Sequence, residues 1–200
     1  SKEANKYYVS IIVSEELELP QYKMQSIVGL DLGVKTLVTT SDYEYYGNPK
    51  YLTKYENKIK GLQKWLSRQV KESKNYNKTL NKIEEVYRKL KNARKKMSEE
   101  IVSKVIKNNN VIVTENLNIK SMTRKEILNS AFGEIIRKLE YKCKWRNKTH
   151  IKVSRYYASS QICNRCGNKD ERMKDISKRE YVCKKCGNEV ERDINASLNL

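Results

Sequence analysis

The sequence has 200 residues, and its 42 lysines and arginines outnumber its 24 aspartates and glutamates, which gives a net charge of +18. This surplus predicts a polyanionic partner, and nucleic acid is favoured over a membrane because no apolar run could cross a bilayer and no signal-peptide core is evident. The length favours one domain with an insertion. We expect a reducing, cytoplasmic setting (nucleoid-associated in a prokaryote), in which the five cysteines form no disulfides.

The first part of the chain is predicted to consist of strands. Aromatic and β-branched residues predict a strand at 6–13, and a loop containing a proline follows at 15–25. Two apolar runs within residues 26–40 predict a pair of strands joined by a tight turn, with Asp31 between the runs. A third strand is predicted at 43–46, before a Gly-Asn-Pro turn.

Asp31 is the first candidate functional residue. A carboxylate inside an apolar strand costs several kcal/mol to keep charged unless something compensates it, and a metal ion is the usual partner. Gly33 allows the backbone to turn and leaves space beside the carboxylate. On this stretch alone, the alternative that Asp31 only caps a turn remains open.

Residues 50–107 are predicted to be helical, unlike the strands before them. Their apolar residues recur at helical spacing on both sides of a polar break at 73–77. We expect two helices that form an antiparallel hairpin, with Trp65 near the seam. The segment holds 18 lysines and arginines against six acids, so it carries +12 of the total charge. A solvated helix surface is the plain alternative, but a surplus of this size indicates a surface that follows phosphates. The candidate nucleic-acid contacts are Lys60, Lys64, Arg68, Arg88, Lys91, Arg94 and Lys95.

The following stretch has an α/β pattern. A short buried strand at 111–117 carries Glu115 towards its C-terminal end, where α/β sheets place their sites. A helix is predicted at 130–148 and another strand at 151–153. His150, the only histidine, lies between them and is expected to be structural rather than catalytic. The apolar face of the helix comprises Phe132, Ile135, Ile136, Leu139, Cys143 and Trp145.

Four of the five cysteines form two Cys-x-x-Cys pairs that are 16 residues apart, and a glycine follows each pair. This spacing is typical of two knuckles that bring four thiolates around one zinc ion, whereas two disulfides or a redox Cys-x-x-Cys fit it less well. Four sulfur ligands leave no open coordination position, so the zinc is expected to be structural. It would stabilise a ribbon of about 25 residues, too few to fold on apolar burial alone. The expected ligands are Cys163, Cys166, Cys183 and Cys186.

Asp193 follows the cysteine pairs, at the start of a helical pattern. With Asp31 and Glu115 it makes three separated acids at the ends of elements, and no catalytic serine, cysteine or histidine accompanies them. Hard cations take oxygen ligands, so the set fits a Mg²⁺ site. Two such ions would activate a water and stabilise the leaving oxygen of a phosphodiester.

These residues carry a resemblance to the C-terminal half of the TnpB family of insertion-sequence proteins, also called OrfB transposases and related to type V CRISPR effectors. The Gly-Leu-Asp-Leu-Gly motif at 29–33 resembles the first RuvC motif, residues 112–122 the second, and residues 192–196 the third. The cysteine ribbon, preceded by residues 155–160, and the basic hairpin stand where the family has them. The order of these motifs is specific, whereas no single RuvC motif is.

The resemblance implies an RNase H-like (RuvC) α/β core with a helical-hairpin insertion and a four-cysteine zinc ribbon. It also implies metal-dependent, RNA-guided cleavage of DNA, with one structural Zn²⁺ and two catalytic Mg²⁺ or Mn²⁺ ions. Asp31, Glu115 and Asp193 match the family's catalytic acids one by one. The departures from the family pattern remove none of these acids, and they are Asn116, Ala158 and Glu191.

The resemblance further implies an N-terminal half, a barrel with a recognition lobe that grips guide RNA and duplex DNA. We expect that half to be missing from these 200 residues, apart from a remnant strand within residues 1–20. The core is expected at 21–157, the zinc ribbon at 158–190 and the final motif at 191–200. Two other functions remain open: a basic, zinc-stapled module that binds nucleic acid without cutting it, and a guide-independent nuclease that selects branched structures.

Overall fold

The computed structural model describes residues 1–3, 6–15, 21, 26–118 and 131–200. The chain divides into two compact units. One comprises Ser1–Glu18 with Pro49–Ser98, and the other comprises Leu19–Asn48 with Glu99–Leu200. Three predictions lie wholly or mostly outside the described residues: the loop at 15–25, the end of the second motif at 119–122, and the start of the helix at 130.

The N-terminal strand prediction was wrong in its length. Strands β1 (Lys2–Glu3) and β2 (Lys6–Tyr7) form a two-residue antiparallel pair, and residues 8–15 have no regular structure. Ile12 is 96% exposed. The β-branched residues of this stretch favour a strand, but a strand forms only where another segment supplies the hydrogen-bond partners. Within the described residues, this backbone pairing ends at Tyr8, which bonds to Ser1.

Residues 50–107 form two helices as predicted, α1 (Tyr51–Leu66) and α2 (Lys74–Asn108). The connection runs through residues 67–73, so the predicted break at 73–77 was placed too late. Ser73 explains the error, because its Oγ accepts a hydrogen bond from the Tyr76 amide at 3.1 Å, as in an N-terminal helix cap. The polar residues after it therefore begin the helix rather than interrupt it.

Apolar side chains on both helices are buried, as expected for a hairpin. The buried positions at helical spacing are Ile59, Ile83, Val86, Leu90 and Met97. The near-heptad spacing of the apolar residues also predicts Tyr87 at the seam. This prediction and that for Trp65 were wrong, since Tyr87 is 45% exposed beside buried Val86 and Trp65 is 63% exposed. The heptad pattern was shifted by one residue there, which leaves the larger aromatic ring at the edge of the apolar stripe.

The second unit contains a mixed five-stranded sheet. Its strands are β3 (Ile27–Asp31), β4 (Thr36–Thr40), β5 (Tyr45–Gly47), β6 (Val111–Glu115) and β7 (Thr149–Val153). They lie in the order β5-β4-β3-β6-β7. β3, β4 and β5 pair antiparallel, whereas β3, β6 and β7 run parallel. The parallel strands are connected through helices, which makes this unit an α/β structure.

Two helices accompany this sheet, α3 (Phe132–Trp145) and α4 (Arg192–Asn199). The predicted apolar face of α3 is buried except for Trp145, which is 65% exposed at the end of the helix. Lys138 is buried on the same helix, and its Nζ lies 3.3 Å from Glu99 and 3.4 Å from Glu134. The two carboxylates compensate the buried ammonium.

The cysteine-rich segment forms a small ribbon. Strands β8 (Glu180–Val182) and β9 (Glu189–Glu191) pair antiparallel, and short 3₁₀ turns cover Ser159–Gln161 and Glu171–Lys174. β9 leads directly into α4, so the ribbon delivers the chain to the last helix. No helix in the described part of the chain combines the length and the apolar composition that crossing a bilayer requires.

Candidate active site and zinc centre

Asp31 and Glu115 end two neighbouring strands of the sheet. β3 and β6 run parallel, with Leu30 opposite Thr114, so the next residue of each strand is one of the two acids. Carboxyl ends of parallel strands meet at one edge of a sheet. The structure therefore brings these two predicted residues to the same edge, although they are 84 positions apart in the sequence.

Asp193 comes to that edge from α4, of which it is the second residue. α4 packs against β3, and the approach is close at Gly29. A Cβ on Gly29 would lie 1.9 Å from the backbone oxygen of Ser197, so only glycine fits there. The sequence predicted both a turn and open space at Gly33. Gly33 lies in the tight turn before β4, where a Cβ would lie 2.7 Å from the Thr36 oxygen, whereas the space that α4 needs is at Gly29.

The three acids interact electrostatically. Burial, and after it the negative charges of Asp193 and Glu115, raise the pKa of Asp31 from 3.8 to about 7, while Arg192 opposes the rise. A carboxyl group whose neutral form is favoured by burial and by neighbouring carboxylates marks a site with too little positive charge. A divalent cation would supply that charge, and its preferred ligands are carboxylate oxygens.

Polar side chains lie against two of these acids, Glu115 and Asp193. The Ser159 hydroxyl donates to Glu115 Oε1 at 2.5 Å, and Arg179 Nη1 lies 4.0 Å from Asp193 Oδ2. Sequence reasoning did not single out Ser159, although it lies in the quoted run at 155–160. Only the folded chain shows that this run passes beside Glu115.

Tyr45 is a second neighbour of the site that sequence reasoning missed. In the sheet, Tyr45 pairs with Thr39, which in turn pairs with Asp31. Its hydroxyl donates to Glu191 Oε2 at 2.8 Å, and this hydrogen bond, together with burial, raises the pKa of Tyr45 to about 12. Tyr45 is therefore a neutral hydrogen-bond donor next to the acids, and half of its surface is exposed.

The four cysteines of the two Cys-x-x-Cys pairs form a compact cluster. Within the described residues, they are the only group of three or more His, Cys, Asp or Glu side chains whose ligand atoms all lie within 4.8 Å of one another. All four are free thiols. The distances are 3.7 Å between the Cys163 and Cys186 sulfurs and 3.5 Å between those of Cys166 and Cys183. This is a donor set that suits one tetrahedral zinc ion; the three acids do not meet the same distance criterion.

The knuckles have local causes in the sequence. Gly167 and Gly187 adopt φ angles of +70° and +69°, a left-handed conformation that favours glycine and closes each turn after its cysteine pair. Backbone amides of Cys186 and Lys185 hold the pKa of Cys183 well below its usual value. A thiol that ionises readily is the form that binds a metal.

The predicted nucleic-acid contacts lie in the first unit, within Pro49–Ser98. Five of the seven side chains are exposed, while Arg88 and Arg94 are half-buried. Lys60 forms an ion pair with Glu56 at 2.9 Å. Such exposed pairs are weak, so they leave the cation available to a phosphate.

His150 lies within β7 rather than before it, where it contacts the adjacent strand. Its Nε2 is 3.0 Å from Thr114 Oγ1 on the adjacent strand. Burial lowers the pKa of His150, which favours the neutral imidazole inside the sheet.

Comparisons with known proteins agree with the motifs. The family described as "Probable transposase" (OrfB_IS605) matches residues 10–126, and the family described as "Cas12f1-like, TNB domain" matches residues 132–200. A chain of the solved "Cryo-EM structure of the Cas12f1-sgRNA-target DNA complex" is similar over 86% of this chain and 37% of its own length, with a TM-score of 0.56 and 25% identity.

Curated relatives are longer than this chain. "Putative RNA-guided DNA endonuclease InsQ" of Escherichia coli K12 is 30% identical over 220 residues, which cover 100% of this chain and 54% of that protein. A "Putative RNA-guided DNA endonuclease" of Streptomyces pristinaespiralis is 27% identical over 202 residues, which cover 98% of this chain and 50% of that protein. The chain thus spans about half the length of these relatives. Because the transposase family alone matches more than half of the chain, the chain belongs to the TnpB/OrfB family of insertion-sequence proteins.

Proposed function

We propose that the chain is the nuclease part of a TnpB-type RNA-guided DNA endonuclease, with an RNase H-like (RuvC) core that hydrolyses phosphodiester bonds. The observation that carries the proposal is that Asp31 and Glu115 end neighbouring parallel strands, close enough to Asp193 for both other acids to add to the effect of burial on the pKa of Asp31, which is raised to about 7. The strand order β5-β4-β3-β6-β7, with its antiparallel and parallel halves, supports the fold assignment. The names of the curated relatives support the activity.

Asp31, Glu115 and Asp193 would hold Mg²⁺ or Mn²⁺, and bound ions would supply Lewis-acid activation of water and stabilisation of the leaving oxygen. The protein's part is to present three carboxylates in a partly buried site. Asp31 must give up its proton to act as a ligand, and the raised pKa makes that proton loss complete only above about pH 7. Ser159 holds one oxygen of Glu115, which leaves the other oxygen free to bind a cation.

Two other parts complete the proposal. Cys163, Cys166, Cys183 and Cys186 would bind one structural zinc ion, because their four sulfurs already lie within 4.8 Å of one another. The basic helix pair would bind the phosphate backbone of DNA or guide RNA, since phosphate contacts supply most of the sequence-independent affinity. The proposal also includes the expected division of the chain into a nuclease core at 21–157, a zinc ribbon at 158–190 and a final motif at 191–200.

Cleavage of single-stranded DNA by the purified chain in Mn²⁺ tests the proposal. The charge-neutral variants Asp31→Asn, Glu115→Gln and Asp193→Asn remove one ligand each without changing side-chain size. We expect each to lower the cleavage rate at least about 100-fold, because losing a ligand should cost no less than the 10- to 100-fold lost when a residue that orients a ligand is changed. Asp42→Asn, in the exposed turn after β4, is the matched control and is expected to cut like the wild type. Equal cleavage by the wild type and all three variants would refute the assignment.

A binding module without catalysis is the second candidate, and the net charge of +18 favours it. Both candidates predict tight nucleic-acid binding, so binding alone does not separate them. Dependence on a divalent cation and on Asp31 does, because a binding module needs neither. Cleavage of branched duplexes in preference to single strands, without any RNA, would instead favour a structure-selective nuclease.

A further inference from the structure

The acid site and the cysteine cluster are joined by partly buried hydrogen bonds, and Ser159 forms the first link. Ser159 is 2% exposed and lies four residues before Cys163. Its hydroxyl donates to Glu115 at 2.5 Å, and its backbone oxygen accepts from Asn199 Nδ2 at 2.8 Å. One residue at the entrance to the ribbon therefore contacts both Glu115 and the helix that carries Asp193.

Asn195 forms the second link. It is fully buried, lies two residues after Asp193, and uses both polar atoms of its amide. Nδ2 donates to the Ile162 oxygen at 2.7 Å, and Oδ1 accepts from the Asn164 amide at 3.0 Å. These two partners flank Cys163, the first expected zinc ligand. α4 is thus hydrogen-bonded to the first knuckle on both sides of Cys163.

The second knuckle is connected to α4 through the chain. Cys183 follows β8 directly, β8 pairs with β9, and β9 ends at Glu191, one residue before α4 begins. The Arg192 amide also donates to the Arg179 oxygen at 2.7 Å. Both halves of the ribbon therefore meet at the start of the helix that holds Asp193.

We propose that Ser159 and Asn195 are positioning residues that couple the four-cysteine centre to the three acids, so that zinc in the ribbon strengthens divalent-cation binding at the acids. The inference rests on the proposed function of those acids. Zinc binding supplies the folding free energy of small ribbons. Bound zinc would therefore order the first knuckle, to which Asn195 is hydrogen-bonded. Residues that orient metal ligands from outside strongly affect metal affinity, and Ser159 and Asn195 are such residues for Glu115 and Asp193.

The first test measures Mn²⁺ binding to the whole chain by the electron paramagnetic resonance signal of free Mn²⁺. Ser159→Ala removes the hydrogen bond to Glu115 and keeps the backbone contacts. We expect it to weaken Mn²⁺ binding about tenfold, with one zinc per chain and an unchanged circular dichroism spectrum. The neighbouring Ser160→Ala is the matched control and should bind Mn²⁺ like the wild type. Wild-type Mn²⁺ affinity in Ser159→Ala would overturn the role of Ser159.

The second test uses reciprocity, since a coupling between two sites must act equally in both directions. The zinc affinity of the whole chain is measured by competition with a chromophoric chelator, with and without saturating Mg²⁺. We expect Mg²⁺ to tighten zinc binding at least about fivefold in the wild type, and to have no effect in Asn195→Ala. A wild-type zinc affinity that does not respond to Mg²⁺ would overturn the coupling.

Asn188→Ala is the matched control for Asn195→Ala. The Asn188 amide donates to Asn164 Oδ1 at 2.9 Å, so it stabilises the same knuckle from within the ribbon without reaching α4. Asn188→Ala should lower the zinc affinity, yet Mg²⁺ should still tighten zinc binding in this variant. If Asn195→Ala does not fold, Ser159→Ala takes its place in this assay, because it breaks the other link.

Asp31→Asn separates the failure of this inference from the failure of the proposed function. If Asp31→Asn binds Mn²⁺ as tightly as the wild type, the acids are not the cation site and both proposals fall. If Asp31→Asn loses Mn²⁺ while Ser159→Ala and Asn195→Ala retain full affinity and full response, only the coupling falls.

Discussion

Asp31 shows how a single residue makes stability depend on pH. Burial and the neighbouring acids raise its pKa in the folded chain from 3.8 to about 7. The folded state therefore binds the proton more tightly than the unfolded state, so this contribution to stability is present below pH 4 and is lost as pH rises through 7. Without divalent cations, ionised Asp31 then destabilises the fold by at most about 4 kcal/mol, at 1.36 kcal/mol per pKa unit.

We expect Asp31→Asn to remove this penalty. In EDTA, the Tm of the variant should exceed that of the wild type at pH 8, and the two values should converge towards pH 4. Thermal unfolding followed by circular dichroism at several pH values measures the difference. Asp42→Asn, at an exposed aspartate in the turn after β4, should shift Tm little at either pH. A lower Tm for Asp31→Asn at pH 8 would contradict the raised pKa of Asp31 in the folded chain.

Gly29 illustrates a residue whose lack of a side chain positions another residue. A Cβ there would overlap the Ser197 backbone oxygen at 1.9 Å, so Gly29→Ala must displace α4 and with it Asp193. We expect the unfolding free energy to fall by about 1–3 kcal/mol, as in other overpacked sites. Gly61→Ala is the control, because a Cβ on Gly61 meets nothing within 4 Å and alanine favours a helix by about 1 kcal/mol. Denaturant titration of both variants should give opposite signs, and equal shifts would contradict the close approach.

At the scale of elements, the ribbon at 158–190 is expected to depend on zinc. Its buried core beyond the cysteines contains Met173 and Tyr181, which is little apolar area for an independent fold. Cys163→Ser should release the metal and accelerate hydrogen exchange across the ribbon, since zinc is part of its folding free energy. Cys143→Ala, at the buried cysteine of α3, should keep one zinc per chain. Metal analysis that finds no zinc in the wild type, with all four ribbon thiols freely titratable, would exclude the zinc site.

At the scale of the whole molecule, the charge distribution governs nucleic-acid binding. Residues 50–107 carry +12 of the net +18, so binding should be insensitive to sequence and should weaken by orders of magnitude between about 50 and 200 mM salt. Replacing Lys60, Lys64, Lys91 and Lys95 together by glutamine should reduce the salt dependence, whereas replacing them by arginine should preserve it. Fluorescence anisotropy with unrelated duplexes across a salt series distinguishes the two, and equal slopes would contradict a phosphate-binding surface on the helix pair.

Guide-directed cleavage is a property that we do not expect of these 200 residues alone. In RNA-guided nucleases, base pairing reads the target, while protein outside the nuclease core reads a flanking motif and grips the duplex. The chain spans only about half the length of its curated relatives. Incubation with a guide RNA and a matched duplex should therefore give no break at the matched site. A clean break at that site would show that the recognition parts lie within this chain.

The sequence by itself determined the features that depend on local spacing. Alternating apolar runs predicted β3 and β4 around Asp31, the interval between cysteine pairs predicted the cluster, and the order of motifs predicted the family. These signals are readable because strand period, helix period and knuckle spacing are each set by a few adjacent residues.

Only the tertiary structure decided which elements meet. The contact of Ser159 with Glu115 and the grip of Asn195 on the first knuckle join residues at least 30 positions apart. The approach of α4 to Gly29 likewise cannot be read from either segment alone. The wrong predictions have the same cause: residues 8–13 and Trp65 have the composition of buried elements but find no partner to cover them among the described residues. Periodicity tells which face of an element is apolar, whereas the packing of the whole chain decides what covers that face.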